Sequence, residues 1–294
     1  MDFLRPSTLA EALAAKAAHP EAVPLAGGTD VMVELNFDHR RPAALLDLGR
    51  VAELHEHAVV DGRVRIGASV PYTRIIAELG DRLPGLAMAS RTVGSPQIRN
   101  RGSVGGNLGA ASPAGDAHPA LLAADAEVEV ASVRGTRLVP VKDFYTGVKR
   151  NVLAEDELIT AVHLRPATGP QQFSKIGSRN AMVIAVCAFG LALHPESGRV
   201  GTGVGSAAPT PRRAVDAEEF LAGELADRNH WTSPRALEDS VKRRFGELVA
   251  AAASPIDDVR GSAAYRKHAL AVMARRTLDW AWQDYREGSW QACA

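Results

Sequence analysis

The polar and apolar positions divide the chain into three stretches. Leu9-Ala10-Glu11-Ala12-Leu13-Ala14 opens an amphipathic helix that Ser7 or Thr8 can cap and that runs to about Ala18. Val23-Pro24-Leu25-Ala26 reads as a short strand, Asp30 to Leu35 as a helix and Ala44 to Leu48 as a second strand, which together predict a small β-α-β unit. From Val59 the pattern becomes hairpin-like: Val59-Val60, an Asp61-Gly62 turn, then Val64 to Gly67. Helices are predicted over Pro71–Leu79, Leu86–Val93 and Asp116–Ala124, followed by strands Glu127–Val130 and Thr136–Pro140 around an Arg134-Gly135 turn. Pro166-Ala167-Thr168-Gly169-Pro170 breaks any regular element and marks a linker. Beyond it, strands are predicted at Gln172–Ser178, Val183–Leu193 and Arg199–Ser206, and helices at Ala214–Leu221, Pro234–Ala253 and Ser262–Tyr285. The fold class is therefore α+β, in units of residues 1–57, 58–166 and 171–294.

Charge and cysteine content remove several function classes. Lys plus Arg and Asp plus Glu both number 34 in 294 residues, which leaves no electrostatic argument for nucleic acid or an anionic membrane as the main partner. Cys187 and Cys293 are the only cysteines and lie far apart, so no disulfide framework, zinc site or iron–sulfur cluster is written here. No apolar run reaches membrane-spanning length, and the first residues do not read as a signal peptide. A cytoplasmic protein is expected. His55 and His57 with Glu53 and Glu56 lie on a short mixed segment with no further ligand nearby, so no metal site is expected.

Two glycine-rich signals carry the chemistry: Ala26-Gly27-Gly28-Thr29-Asp30, at a strand-to-helix junction, and Ser103-Val104-Gly105-Gly106-Asn107. Paired glycines let backbone N–H groups close onto phosphate oxygens. The sequence has neither a Gly-x-Gly-x-x-Gly after a strand nor a Gly-Lys-Ser/Thr, which disfavours a Rossmann dinucleotide site and a nucleotide hydrolase. The stretch from Ile98 to Asp116 is poor in large apolar residues yet lies between patterned elements, and it reads as a long functional loop. Ser103, Asn107, Ser112 and Asp116 offer hydrogen-bonding groups to a sugar or polyol. The pair predicts a diphosphate clamped from two sides.

On these residues the chain resembles the FAD-binding medium subunit of the molybdenum hydroxylases, the family of xanthine dehydrogenase and aerobic carbon monoxide dehydrogenase. Leu25-Ala26-Gly27-Gly28-Thr29-Asp30-Val31-Met32 resembles the first flavin loop, and Ser103-Val104-Gly105-Gly106-Asn107 with Asp116 resembles the second. Leu158 to Leu164 is similar to the strand that meets the flavin ring, here through Ile159, and Phe173-Ser174-Lys175 to the segment with a flavin-proximal lysine. Ala208-Pro209-Thr210-Pro211-Arg212-Arg213 and Ser262 to His268 resemble two landmarks of the C-terminal domain. The resemblance implies a two-lobed FAD domain of the vanillyl-alcohol oxidase type followed by a C-terminal α+β domain. It also implies FAD on this chain, and an iron–sulfur small subunit with [2Fe-2S] clusters and a molybdopterin-binding large subunit as partners. Electrons would pass through FAD to an acceptor such as NAD.

The chain carries no acid between Lys175 and Ala185, where relatives often have an aspartate, a version that resembles purine-type enzymes more than the carbon monoxide branch. The medium subunit of a carbon monoxide dehydrogenase and a self-sufficient flavin oxidoreductase of the same fold remain the alternatives. No residue of this chain is expected to be catalytic. Trp280, Trp282, Tyr285 and Trp290 cluster near the C-terminus, where part of the group must pack on the core and part could anchor another subunit.

Overall fold

The computed structural model describes residues 1–291. The chain begins with β1 (Asp2–Leu4), α1 (Leu9–Ala18), β2 (Val23–Leu25), α2 (Val31–Asn36) and β3 (Ala44–Asp47). Both β1 and β2 pair with β3 in parallel, so the expected β-α-β unit is present with one further strand, which at three residues is too short to show a period. Thr8 is the cap of α1. Its Oγ1 accepts the Glu11 amide at 3.2 Å while Glu11 Oε2 accepts the Thr8 and Ser7 amides at 3.3 and 2.8 Å, a reciprocal capping box. Lys16 is buried near the helix end and donates to the Pro20 and Ala22 carbonyls at 2.6 and 2.8 Å, which folds the chain back into β2.

A five-stranded antiparallel sheet follows, built from β4 (His57–Val60), β5 (Arg63–Gly67), β6 (Glu127–Ser132) and β7 (Gly135–Pro140), with a small β8 (Tyr145–Gly147) and β9 (Arg150–Asn151) ribbon before β10 (Leu158–Leu164). Its order is β4-β5-β10-β6-β7, so the last strand inserts at the centre. Asp61 and Gly62 both have positive φ, 50° and 73°, as a two-residue hairpin turn requires. The second turn is Val133-Arg134, one residue earlier than expected, because Gly135 already pairs with Ser132. Between β5 and β6 run α3 (Tyr72–Glu78), α4 (Pro84–Arg91), α5 (Pro96–Arg99), α6 (Val104–Ala110) and α7 (Ala117–Ala123). The expected loop from Ile98 to Asp116 is thus partly helical. Ser95 and Ser103 each accept an amide three residues on, from Ile98 at 3.3 Å and from Gly106 at 3.1 Å, and in α6 the Ser103 cap offsets the poor helix propensity of the glycines. Leu46 and Leu54 of the first unit share one buried cluster with Ile66, Leu108, Val130 and Val162.

The remaining elements are β11 (Gln171–Ile176), β12 (Cys187–His194), β13 (Arg199–Gly205), α8 (Val215–Asp227), α9 (Asp239–Ala251) and α10 (Ala263–Glu287). The three strands form an antiparallel sheet in chain order. Alternation along Val200-Gly201-Thr202-Gly203-Val204-Gly205 sends glycines to one face and larger residues to the other. Val200 and Val204 pack with Leu221, Phe245 and Leu270 of the three helices. On the glycine face lies α7, and a Cβ at Gly190, Gly201 or Gly203 would run into the Pro119 or Ala123 carbonyl. The C-terminal sheet therefore grips the flank of the N-terminal half through a helix backbone.

Three element boundaries depart from the sequence reading by four residues or more. β12 starts at Cys187 rather than Val183 because β11 stops at Ile176, opposite Cys187, leaving residues 183–185 without a partner strand. α9 starts at Asp239 rather than Pro234, since the preceding carbonyls are taken by α10: Trp282 Nε1 donates to Arg235 O at 2.6 Å and the Tyr285 hydroxyl to Trp231 O at 2.7 Å. α8 continues to Asp227 rather than Leu221. Trp231, Trp282 and Tyr285 make one aromatic cluster that locks α10 onto this segment, so most of the C-terminal aromatic group is internal, and Trp280 is its exposed member. Cys187 is buried, which pushes its thiol up to about 12, and Cys293 lies outside the described residues. Among the described residues no helix is long and apolar enough to cross a membrane, and no group of three His, Cys, Asp or Glu could hold a metal ion.

Candidate functional site

A cleft of about 960 Å³ runs between the first unit and the five-stranded sheet and reaches the start of the C-terminal unit. Both glycine loops line it. Of the residues singled out from sequence, Ala26, Gly27, Gly28, Thr29, Asp30, Val31, Ser103, Gly105, Gly106, Asn107, Asp116 and Ile159 stand on its wall. Leu25, Met32, Val104 and Lys175 do not: Leu25 belongs to β2, Met32 is exposed on α2, Val104 is core, and Lys175 is screened by Asp116.

The four glycines divide into two kinds. Gly27 lies so close to the Arg101 carbonyl, and Gly105 to Ala68, that neither site has room for a Cβ; these two hold the loops against protein. Gly105 also donates its amide to Ala68 O at 3.1 Å, while the Tyr72 amide holds Gly102 O at 3.0 Å, so the loops and the start of α3 form one unit. Gly28 has φ +78°, a left-handed turn that a side chain disfavours. At Gly106 a Cβ would meet only Ser103 Oγ, at 3.3 Å, leaving this backbone open to the cleft. The amides of Gly28, Thr29 and Asp30 find no protein acceptor among the described residues.

Four buried polar atoms on the cleft-lining residues also lack a partner among the described residues: Ser69 Oγ, the Tyr72 hydroxyl, Asn107 Oδ1 and Asp116 Oδ1. Burying such groups unpaired is costly, so their convergence on one cleft fits a polar, hydroxyl-rich ligand. Asp116 Oδ2 accepts from Lys175 Nζ at 2.6 Å, and the same ammonium donates to Thr92 O at 3.2 Å. Burial raises the Asp116 carboxyl above the ordinary range, with Lys175 pulling against it. Burial, and then the nearby Asp116 and Asp30 carboxylates, raise Tyr72 and keep it a neutral phenol. Arginine contributes little: the Arg99 guanidinium is tied to the Arg91, Val93 and Gly94 carbonyls, and Arg40 and Lys149 at the wall pair with Glu34 at 3.7 and 3.4 Å. Among the described residues the cleft thus offers backbone amides, hydroxyl groups and carboxylates paired with cations, and no cluster of free cations. Ile159 adds an apolar surface beside Leu158 and Leu153, just before a bulge at Thr160 whose Oγ1 turns to Glu129 at 2.7 Å.

Sequence reasoning missed Ser69, Tyr72 and the rim residues Met182, Val183 and Ile184. Tyr72 opens a helix and reads as core, and Val183-Ile184 carries a strand-like pattern, so neither gave a signal.

Residues 1–167 match the family model described as the FAD binding domain in molybdopterin dehydrogenase, and residues 172–281 match the CO dehydrogenase flavoprotein C-terminal domain. The chain belongs to the FAD-binding medium-subunit family of the molybdenum hydroxylases. It is 31% identical over 286 residues to a putative xanthine dehydrogenase FAD-binding subunit of Escherichia coli K12, covering 94% of each chain. It is 35% identical over 235 residues to the nicotinate dehydrogenase FAD-subunit of Eubacterium barkeri, covering 76% of this chain and 79% of that one. A solved chain of the carbon monoxide dehydrogenase from Hydrogenophaga pseudoflava superposes with a TM-score of 0.87 at 26% identity, covering 96% of this chain and 97% of that one. The α+β architecture is therefore that of the family's flavoprotein, and the chain is an oxidoreductase subunit.

Proposed function

We propose that this medium subunit binds FAD in the cleft and relays electrons from iron–sulfur clusters of a partner subunit to an acceptor such as NAD, within a cytoplasmic, xanthine dehydrogenase-like complex whose large subunit carries the molybdopterin. FAD, when bound, supplies the exchange between one-electron and two-electron transfer. The observation that carries the reading is the convergence of both glycine loops and four unpartnered polar atoms on one cleft. The amides of Gly28, Thr29 and Asp30 would hold the diphosphate, and Gly106, whose amide is already taken by Ser103 Oγ, would leave room for its close approach. Ser69, Asn107 and the free oxygen of Asp116 would hold hydroxyl groups, and Ile159 would cover an apolar ring. Leu25, Met32 and Val104 would act by supporting the loops.

Relatives named for xanthine, nicotinate and carbon monoxide all match most of this chain. That shared scaffold supports placing the choice of substrate on another subunit.

The test is to prepare the full chain, release and quantify any flavin, and titrate the apoprotein with FAD. Binding near one equivalent is expected. The chain with FAD is expected to exchange electrons with artificial acceptors and to hydroxylate nothing until the partner subunits are added. Failure to bind FAD, or substrate-dependent flavin reduction by the metal-free chain alone, would overturn the reading.

A further inference from the structure

The residue after β13 turns left-handed. Ser206 has φ 58° and is buried, a conformation that disfavours any residue carrying a Cβ. The turn aims its three hydrogen-bonding groups at three separate segments. Its amide donates to Pro113 O at 2.7 Å, its Oγ donates to Ala185 O at 2.6 Å, and its carbonyl accepts from Arg266 Nη1 at 2.7 Å. Pro113 leads directly into Ala114, Gly115 and Asp116, and Ala185 directly follows Met182, Val183 and Ile184; both stretches line the cleft. Arg266 is 3% exposed on α10, and its other amino group bonds the Asp258 carboxylate, which Arg260 also holds. The anchor is therefore fixed from behind.

We propose that Ser206 is a positioning residue for the flavin: one left-handed serine, held by Arg266 of the C-terminal unit, sets the spacing between the Asp116 segment and the Met182–Ile184 rim. The inference rests on the flavin reading of the cleft. Ser206 itself does not line the cleft, and none of its three groups is free to touch a ligand. Its influence passes through the two segments it ties together. A glycine would accept the backbone turn more easily but would lack the Oγ that holds Ala185, which accounts for a serine at this φ.

The experiment compares Ser206→Ala and Ser206→Gly in the full chain, as apoprotein and after reconstitution with FAD. Both delete the bond to Ala185, and only the glycine relieves the turn, so their melting temperatures are expected to differ. A positioning role makes their flavin properties coincide: FAD Kd about three- to ten-fold higher in both, the scale of one lost hydrogen bond, with the same change in visible circular dichroism and midpoint potential of the bound flavin. Wild-type dichroism and potential in both variants, or FAD loss that merely tracks melting temperature, would overturn the inference. A wild-type chain that binds no FAD defeats the flavin reading itself.

Discussion

Lys175 meets the cleft only through Asp116. Its Nζ stands 2.6 Å from Asp116 Oδ2, both side chains are under a tenth exposed, and Asp116 keeps Oδ1 unpartnered at the wall. Lys175, expected from sequence to lie near a flavin, is off the cleft wall and pairs with a cleft-wall carboxylate, whose upward shift by burial it opposes.

Replacing Lys175 with Met leaves a buried carboxylate without its partner, a change that costs about 3–5 kcal/mol near neutral pH. The Asp116 carboxyl is already raised by burial, with Lys175 the main opposing influence, so the variant raises it further. A group whose folded pKa lies above its unfolded value favours folding when protonated, and that contribution is lost as pH rises through the folded pKa. The stability gap between wild type and Lys175→Met is therefore expected to narrow as pH falls toward the unfolded carboxyl range. Urea unfolding at a series of pH values checks this, and a gap independent of pH would contradict it. Asp116→Asn in the Lys175→Met background is expected to recover much of the loss.

The glycine loops predict different outcomes at different positions. Gly28→Ala places a side chain at φ +78° and is expected to lose about 1–2 kcal/mol of stability as well as flavin. The Cβ of Gly106→Val meets only Ser103 Oγ inside the protein, so most of its effect is expected on FAD, with a smaller change in melting temperature. Gly27→Ala collides with the Arg101 carbonyl and is expected to disturb both loops whether or not FAD is present. Flavin content after denaturation, measured beside thermal melts of the apoprotein, separates the three. Equal flavin content in Gly106→Val and wild type would remove this face from the clamp.

The first loop and most strands were legible because they combine short apolar runs with glycine or Asp-Gly turns, signals that act locally. The helix beginning at Val104 was not, since Gly105 and Gly106 argue against helix and the deciding term is a serine cap together with contact to Ala68. The partnership of Lys175 with Asp116 joins residues 59 positions apart, and nothing in either local pattern announces it. The same holds for Tyr72, whose ring reads as core and whose hydroxyl is unpartnered only in the assembled fold. Residue types of the site were thus readable, whereas the direction each side chain faces depends on tertiary packing.

His118 is fully buried and hydrogen-bonded through Nδ1 to the Tyr145 hydroxyl at 2.7 Å. Burial pushes its pKa down to about 3, far below the usual histidine value. A base depressed on folding contributes stability that is present above the unfolded pKa and lost as pH falls toward the folded one. The unfolding free energy is therefore expected to drop by up to about 1.4 kcal/mol per pH unit below roughly pH 6.5 from this group alone. His118→Gln is expected to flatten that slope. Parallel slopes for the variant and wild type in urea titrations between about pH 6.5 and 5 would show that His118 is not the source.

The contact between the two halves gives the last prediction. Gly203 sits under the Pro119 carbonyl, so Gly203→Ala must displace α7 or the sheet, an overpacking change that typically costs about 1–3 kcal/mol. α7 starts at Ala117, immediately after Asp116, and a displaced helix carries Asp116 away from Lys175 on β11. Loss of stability and loss of FAD are therefore expected together in Gly203→Ala. Gly223→Ala is the control, because a Cβ there meets nothing within 4 Å on the exposed face of α8, and alanine favours the helix. The control is expected to melt at or slightly above the wild-type temperature with full flavin. Full FAD occupancy in a destabilised Gly203→Ala chain would show that the interface supports the fold without setting the cleft, and the link from the glycine face through α7 to Asp116 would have to be abandoned.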